Sequence, residues 1–291
     1  MERSAVIIEA AINGFTPRTT NPHVPNSSAE IAADALACFG AGAAIVHNHG
    51  AVFGDPEEVA ADYLAAWSPV LEARPDALLY PTANVIDGAL DVRHLEVLAA
   101  TGVLRVSPCD PGSLNLGAAD PDGVPVGSYV YTNSFDSIAV QMEQATRDRV
   151  GPSLAIYEPG FLRCALAWWR AGRLPQGSML KLYLSTDRGY MGAPFGLPPT
   201  RSALDVYLDM LGDCPIPWAV SVVGGDVVGS GIAEYAVQRG GHVHLGLEFH
   251  AGDRTPTNLE LVSEAVALCE RLGVAVASPD QAAELLELPR R

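Results

Sequence analysis

Two short runs hold the residues best suited to chemistry. In Ala44-Ile45-Val46-His47-Asn48-His49 an apolar, β-branched stretch ends in histidines spaced i and i+2. The period of two of a β-strand puts both imidazoles on one face. Much later, Gly241-His242-Val243-His244-Leu245-Gly246-Leu247-Glu248 repeats the pattern and adds a carboxylate in the same parity. Four of the seven histidines fall in these two runs. Two imidazoles and one carboxylate, with a position left open for water or substrate, form a recurrent catalytic zinc arrangement. His47, His49 and Glu248 are therefore the candidate metal ligands, with a hydrogen-bonded structural pair as the competing reading. His242, deeper in its run, reads as a structural or supporting histidine. His250, past the run, is expected to be exposed, and His23 and His94 have no distinguishing context.

The elements that must position these groups alternate. Val6 to Ala11 reads as a first buried strand, and a helix capped by Ser27 or Ser28 runs to Phe39 ahead of a second strand at Ala43 to His49. Six further strands are expected at Ala77 to Thr82, Val103 to Ser107, Leu154 to Tyr157, Met179 to Leu184, Trp218 to Val223 and His242 to Leu247, each following a helical pattern. A last helix at Leu259 to Leu272 precedes a short strand at Ala275 to Ala277 and a helix from Pro279 to Leu286. Residues 108–133 form a Gly/Pro/Asp-rich excursion, too long for a simple connection and so a candidate active-site loop. No repeat or Gly/Ser linker divides the chain, so residues 1–291 are read as one α/β domain. Eight alternating units fit a (β/α)8 TIM barrel better than a doubly wound open sheet.

A barrel places catalytic groups at the C-terminal ends of its strands. His47 and His49 then end strand two, Glu248 ends strand eight, and closure brings strands one, two and eight together. Gly224-Gly225-Asp226-Val227-Val228-Gly229-Ser230-Gly231 follows strand seven, where backbone amides often take phosphate. Gly224, Gly225 and Ser230 are the candidate contacts to a phosphorylated cofactor such as coenzyme A, against a plain tight turn.

Bulk composition limits the partners. With 48% hydrophobic and 18% charged residues the 291-residue chain has material for a packed core, and no apolar stretch is long enough to span a membrane. A net charge of −16 with a single lysine, Lys181, argues against nucleic acid, whose phosphates need clustered cations. The five cysteines are far apart and lack a CxxC, which reads as free thiols in a cytoplasmic protein.

The ordered motifs resemble the β-keto acid cleavage enzymes, the family of the 3-keto-5-aminohexanoate cleavage enzyme, over nearly the whole chain. The likeness rests on Asn21-Pro22-x-Val24-Pro25 with Glu30-Ile31, on Ala41-Gly42-Ala43-Ala44-Ile45-Val46-His47-x-His49, and on Gly240-Gly241-His242-Val243-x-Leu245-Gly246-Leu247-Glu248. Thr257-Asn258-x-x-Leu261-Val262 and Ala277-Ser278-Pro279 extend it. The resemblance implies a TIM barrel, usually a homotetramer, with Zn2+ on His47, His49 and Glu248. It also implies cleavage of a β-keto acid with acetyl-CoA to give acetoacetate and a new acyl-CoA. Near the chemistry the chain departs from that pattern. His244 replaces the strand-eight arginine, Phe249 the aspartate after the metal-binding glutamate, and Pro81-Thr82-Ala83-Asn84 a Ser-Thr-Gly-Gly-like substrate turn. Thr16 and Ser153 replace two acidic residues. A changed substrate is expected. His244 and Glu9 become candidates for the missing base, with Glu158 as a further carboxylate and Thr82 as a substrate contact. Another metal-dependent lyase, aldolase or hydrolase, or a ligand-binding barrel without turnover, is the alternative.

Overall fold

The computed structural model describes residues 5–14, 16–86 and 89–290. Eight parallel strands form a single sheet: β1 (Ile8–Ala11), β2 (Ile45–Asn48), β3 (Leu78–Pro81), β4 (Val106–Cys109), β5 (Gly151–Ile156), β6 (Met179–Ser185), β7 (Trp218–Val223) and β8 (His242–Leu245). Their order is β3-β2-β1-β8-β7-β6-β5-β4, and the two outermost strands lie against each other, so the sheet nearly closes into the expected (β/α)8 barrel. β1 pairs with both β2 and β8, with Ala11 abreast of His47 and Glu9 abreast of His244.

Helices follow the strands: α1 (Ser28–Ala41), α2 (Pro56–Ala73), α3 (Arg93–Ala100), α4 (Phe135–Asp148), α5 (Pro159–Arg170), α6 (Arg201–Leu211), α7 (Ile232–Gln238), α8 (Asn258–Arg271) and α9 (Pro279–Leu285). Local chemistry sets their starts. Ser27 and Glu30 form a reciprocal capping box on α1, as Thr257 and Glu260 do on α8 and Ser278 and Gln281 on α9. Gly42, at φ 117°, ends α1 in a conformation that favours glycine.

Three expectations change in detail. β4 extends to Cys109, two residues past the expected end, because Pro108 lies within the strand and pairs with Ser153. β5 begins at Gly151, since Gly151 and Pro152 pair with Val106 and Ser107 instead of breaking the strand. The excursion after β4 is built from two small hairpins, Leu114–Asn115 with Val130–Tyr131 and Ala118–Ala119 with Pro125–Val126. The expected strand at Ala275 to Ala277 is reduced to a bridge from Val6 to Val276, in which the Val6 amide donates to Ala275 O and the Ala277 amide to Val6 O. All five cysteines are free.

The inside of the barrel is unusual for its polarity. Branched aliphatic side chains normally fill it. Here Glu9 from β1, Tyr80 from β3, Ser153 from β5, Lys181 from β6 and His244 from β8 are all buried. Lys181 Nζ donates to Glu9 Oε2 in a short charge-assisted contact, the Tyr80 hydroxyl donates to Glu9 Oε1 at 2.5 Å, and Ser153 Oγ donates to the Tyr80 oxygen at 3.3 Å. Burial pulls the Lys181 pKa down and the Glu9 charge opposes the shift. Losing one partner of a buried ion pair leaves a bare charge, at a typical cost of about 3–5 kcal/mol. Lys181→Met is thus expected to lower unfolding stability by about that amount, and adding Glu9→Gln to recover part of it. Urea titrations of Lys181→Met, Glu9→Gln and the double variant check this, and an additive double mutant would exclude coupling between the two groups.

Candidate metal centre and active site

His47 and His49 stand at the C-terminal end of β2, and Glu248 lies three residues past β8. His47 Nε2 is 3.4 Å from Glu248 Oε2, and His49 Nε2 is 3.3 Å from Glu248 Oε1. One ligand atom from each residue lies within 4.8 Å of the others. The sequence-predicted triad is therefore brought together in space.

The surrounding bonds fix these side chains in orientations that suit a metal. His47 Nδ1 lies 3.2 Å from the Tyr80 carbonyl oxygen. A carbonyl only accepts, so Nδ1 carries the proton and Nε2 presents a lone pair toward Glu248. The His47 ring also packs on the Tyr80 ring at 4.5 Å. Burial, followed by the neighbouring His49, pushes the His47 pKa well below its ordinary value, which keeps the ring neutral and able to ligate. Glu248 Oε2 is buried without a hydrogen-bond partner, because its contact with His47 has the separation of an ion pair but not the angles of a hydrogen bond. An orphaned buried carboxylate oxygen facing imidazole lone pairs is costly alone and is satisfied by a cation. The residues present fit a divalent metal.

Backbone staples hold the two strand ends together. Asn13 accepts the His49 N–H at 2.7 Å and donates to the carbonyls of Pro25 and His49, both at 3.1 Å. Asn258, at the start of α8, accepts the Leu247 N–H and donates to Ile12 O. Tyr63 of α2 accepts the amides of Gly50 and Thr82, which ties the ends of β2 and β3. Gly14 and Gly246 are required by close packing: a Cβ on Gly14 would overlap Glu248, and one on Gly246, at φ 129°, would overlap the Ala11 carbonyl.

The other predicted site residues are distributed unevenly around this centre. His244 is buried beneath the mouth, with Nε2 3.1 Å from Glu9 Oε1, Nδ1 3.5 Å from the Tyr183 hydroxyl, and its ring 4.7 Å from that of Phe249. Its Nε2 approaches Glu9 at ion-pair distance but outside hydrogen-bond geometry, and burial with the Lys181 charge drives its pKa well down. Glu9 lies in the barrel interior with both oxygens engaged. Thr82 follows β3 on the rim; its carbonyl pairs with His94 Nε2 at 2.9 Å. Glu158 Oε1 accepts the Gly196 amide. In the loop after β7, the Gly224 amide donates to Phe249 O and the Ser230 amide to Asp226 O, while Asp226 Oδ1 takes the amides of Val228 and Gly229. The amides of Gly224, Val228, Gly229 and Ser230 thus already bond within the protein.

His242 accepts the Ile7 N–H through Nδ1 at 3.0 Å, a structural role as expected. The expectation for His250 is overturned. The chain turns back on Gly246 after β8, and His250 bridges to Gly225 and is buried with Nε2 3.9 Å from Asp226.

Sequence reasoning missed an aromatic wall and a carboxylate. Tyr157, after β5, stacks on Tyr183 at 4.8 Å and meets Phe195 and Tyr190 at 5.6 and 6.0 Å, and Phe249 lies 5.3 Å from Tyr183. Asp110, the residue after β4, accepts a short hydrogen bond from the Tyr131 hydroxyl. Its carboxyl is pushed up to about 6, first by burial and then by the negative charge of Glu248. The available signal was its place directly after a barrel strand. Ending that strand at Ser107 moved the aspartate into the excursion.

Comparison with known proteins bears on what this arrangement does. The model of the beta-keto acid cleavage enzyme family matches residues 5–288. A 3-dehydrocarnitine:acetyl-CoA trimethylamine transferase of Rhizobium meliloti is 26% identical, over 98% of this chain and 97% of that protein. A 3-keto-5-aminohexanoate cleavage enzyme of Fusobacterium nucleatum is also 26% identical, over 98% of each. A 3-oxoadipate:acetyl-CoA acetyltransferase of Cupriavidus necator is 27% identical, over 97% of this chain and 95% of that protein.

Protein purified without chelator is expected to contain a divalent metal at close to stoichiometric amounts, and His47→Ala and Glu248→Ala to lose it. Elemental analysis by mass spectrometry is the measurement, and full occupancy in both variants would rule the triad out as the ligand set.

Proposed function

The chain belongs to the beta-keto acid cleavage enzyme family, and from that premise we propose that it cleaves a β-keto acid with acetyl-CoA. The products are acetoacetate and a new coenzyme A thioester, and His47, His49 and Glu248 hold zinc. The observation that carries this reading is the Glu248 carboxylate at the seam of β1, β2 and β8, with its orphaned Oε2 3.4 Å from His47 Nε2 and its Oε1 3.3 Å from His49 Nε2. When bound there, zinc supplies a Lewis acid for the keto and carboxylate oxygens of the substrate, which favours an enolate.

The residues around the triad divide the remaining work. Tyr80 holds His47 from behind, and Glu9 with Lys181 holds Tyr80. Glu9 and His244 are positioning residues in this reading: both are buried, and Phe249 packs on the His244 ring. Thr82, on the rim beside the end of β2, is read as meeting the substrate carboxylate. Coenzyme A is read as approaching along the rim.

The substrate tail meets aromatic rings rather than a cation. Tyr157, Tyr183, Tyr190, Phe195 and Phe249 form the wall, and Asp110 and Glu248 both act electrostatically on Tyr157. Beside it runs a cleft of about 670 Å³, bounded by the excursion hairpins, Glu158 and Phe195; among the described residues its lining contains no arginine or lysine. Aromatic faces and carboxylates favour a positive charge and repel a negative one. The relatives span both kinds of tail, a trimethylammonium and a carboxylate by their names. This chain is read as taking a β-keto acid with a cationic or neutral tail.

Incubation with acetyl-CoA and a panel of β-keto acids, with acyl-CoA products followed by mass spectrometry, tests the reaction; no thioester from any member would overturn it. Within the panel, kcat/KM is expected to be roughly tenfold or more higher for an ammonium-bearing tail than for a carboxylate-bearing tail of equal length. The reverse order would remove the aromatic wall from substrate selection.

A further inference from the structure

The proposed chemistry needs a base, and the position directly after Glu248, where the family resemblance implies an aspartate, is Phe249 here. Most candidate carboxylates near the mouth are committed elsewhere. Glu9 is bound to Lys181 and Tyr80, Glu158 to the Gly196 amide, and Asp226 to two amides and Arg254. Asp110 differs. It extends β4 by one residue, on the side of the barrel away from the β1–β2–β8 seam, and is half-buried. Tyr131 donates to Oδ2, and among the described residues Oδ1 has no hydrogen-bond partner. The Asp110 amide is tied to Gln141 Oε1 at 3.4 Å, which fixes the backbone that presents the carboxylate.

We propose that Asp110 is the general base that takes the C2 proton of the β-keto acid, an assignment that rests on the proposed cleavage reading. In that step the C2–H bond breaks and its proton moves to Asp110 Oδ1, leaving a neutral carboxylic acid. The electron pair of the broken bond becomes the C2–C3 π bond of the enolate, and the negative charge moves to the keto oxygen on the triad side. Asp110 later returns the proton to a carbanionic centre, so the residue emerges unchanged. The groups that face it are Tyr131, Tyr157, Cys109 and, across the mouth, Glu248. The Tyr131 hydroxyl fixes the rotamer and leaves the second oxygen for the substrate. Burial and the Glu248 charge bring the carboxyl up to about 6, close to the working range of a base that is ionised at neutral pH and still holds a proton in transit. Cys109 is not a competitor, because burial raises its thiol well above its ordinary value.

The test follows the proton directly. Metal-replete enzyme is mixed in D2O with 3-oxopentanoate, without acetyl-CoA, and loss of the C2 proton signal above the buffer rate is read by NMR. Asp110→Asn and Asp110→Ala are expected to lose enzyme-dependent exchange by ~100-fold or more while keeping metal content and circular dichroism. Added formate is expected to restore part of the exchange in Asp110→Ala and none in Asp110→Asn, which a merely structural role would not produce. Exchange within about threefold of the starting protein in both variants would overturn the assignment, and so would absence of enzyme-dependent exchange in the unmodified protein. Exchange that depends on Asp110 without any acetyl-CoA-dependent thioester would leave the base in place and overturn the cleavage reading instead.

Discussion

The Glu9–Lys181 ion pair in the barrel interior is the constraint on which the rest of the site depends. A barrel core made of aliphatic side chains would be easier to stabilise, because a buried charge pair returns little net energy and is costly once either member is lost. What the pair does supply is orientation. Glu9 is held from β6, holds Tyr80 of β3, and lies abreast of His244 on β8. Tyr80 in turn fixes the tautomer and ring plane of His47. A chain of contacts with strong directional preferences runs from the middle of the barrel to His47 of the candidate triad.

Above that layer the mouth divides into two halves. One, on β1, β2 and β8, is built from asparagine staples and glycines that allow backbone and carboxylate to approach closely, and it presents the His47, His49 and Glu248 triad. The other, on β4 to β6, carries Asp110 and the aromatic wall and is roofed by the excursion hairpins. Phe249 belongs to both, since it follows Glu248 directly and packs on Tyr183 and His244. A phenyl ring at this position removes an ionisable group from the triad side and adds to the apolar side. The balance of the pocket moves from charge pairing toward aromatic contact.

Much of this was legible in the chain itself. The two HxH runs stood out because a period of two and a terminal position have few meanings at a strand end, and the start of α1 was marked by a serine cap, which the structure assigns to Ser27 with Glu30 three residues on. What stayed hidden depended on partners remote in sequence. Glu9 and Lys181 are 172 positions apart, and nothing in either neighbourhood announces an ion pair. Asn13 and Asn258 look like ordinary loop and helix-start residues until the strand ends they join are adjacent. Asp110 was obscured by Pro108, which reads as a strand breaker although here it lies within β4. His250 was misplaced for a related reason: the chain turns back after β8 and does not run out into solvent.

The single lysine has a consequence at the surface as well. Its amine is 1% exposed and spoken for by Glu9, so no lysine amine of this chain is open to acylation, ubiquitin transfer or amine-directed crosslinkers in the folded state. Every other basic side chain apart from histidine is a guanidinium, which keeps its proton far into the alkaline range. The outer surface therefore offers covalent amine chemistry no lysine target, and its positive charges hold constant where a lysine-bearing protein would begin to lose them.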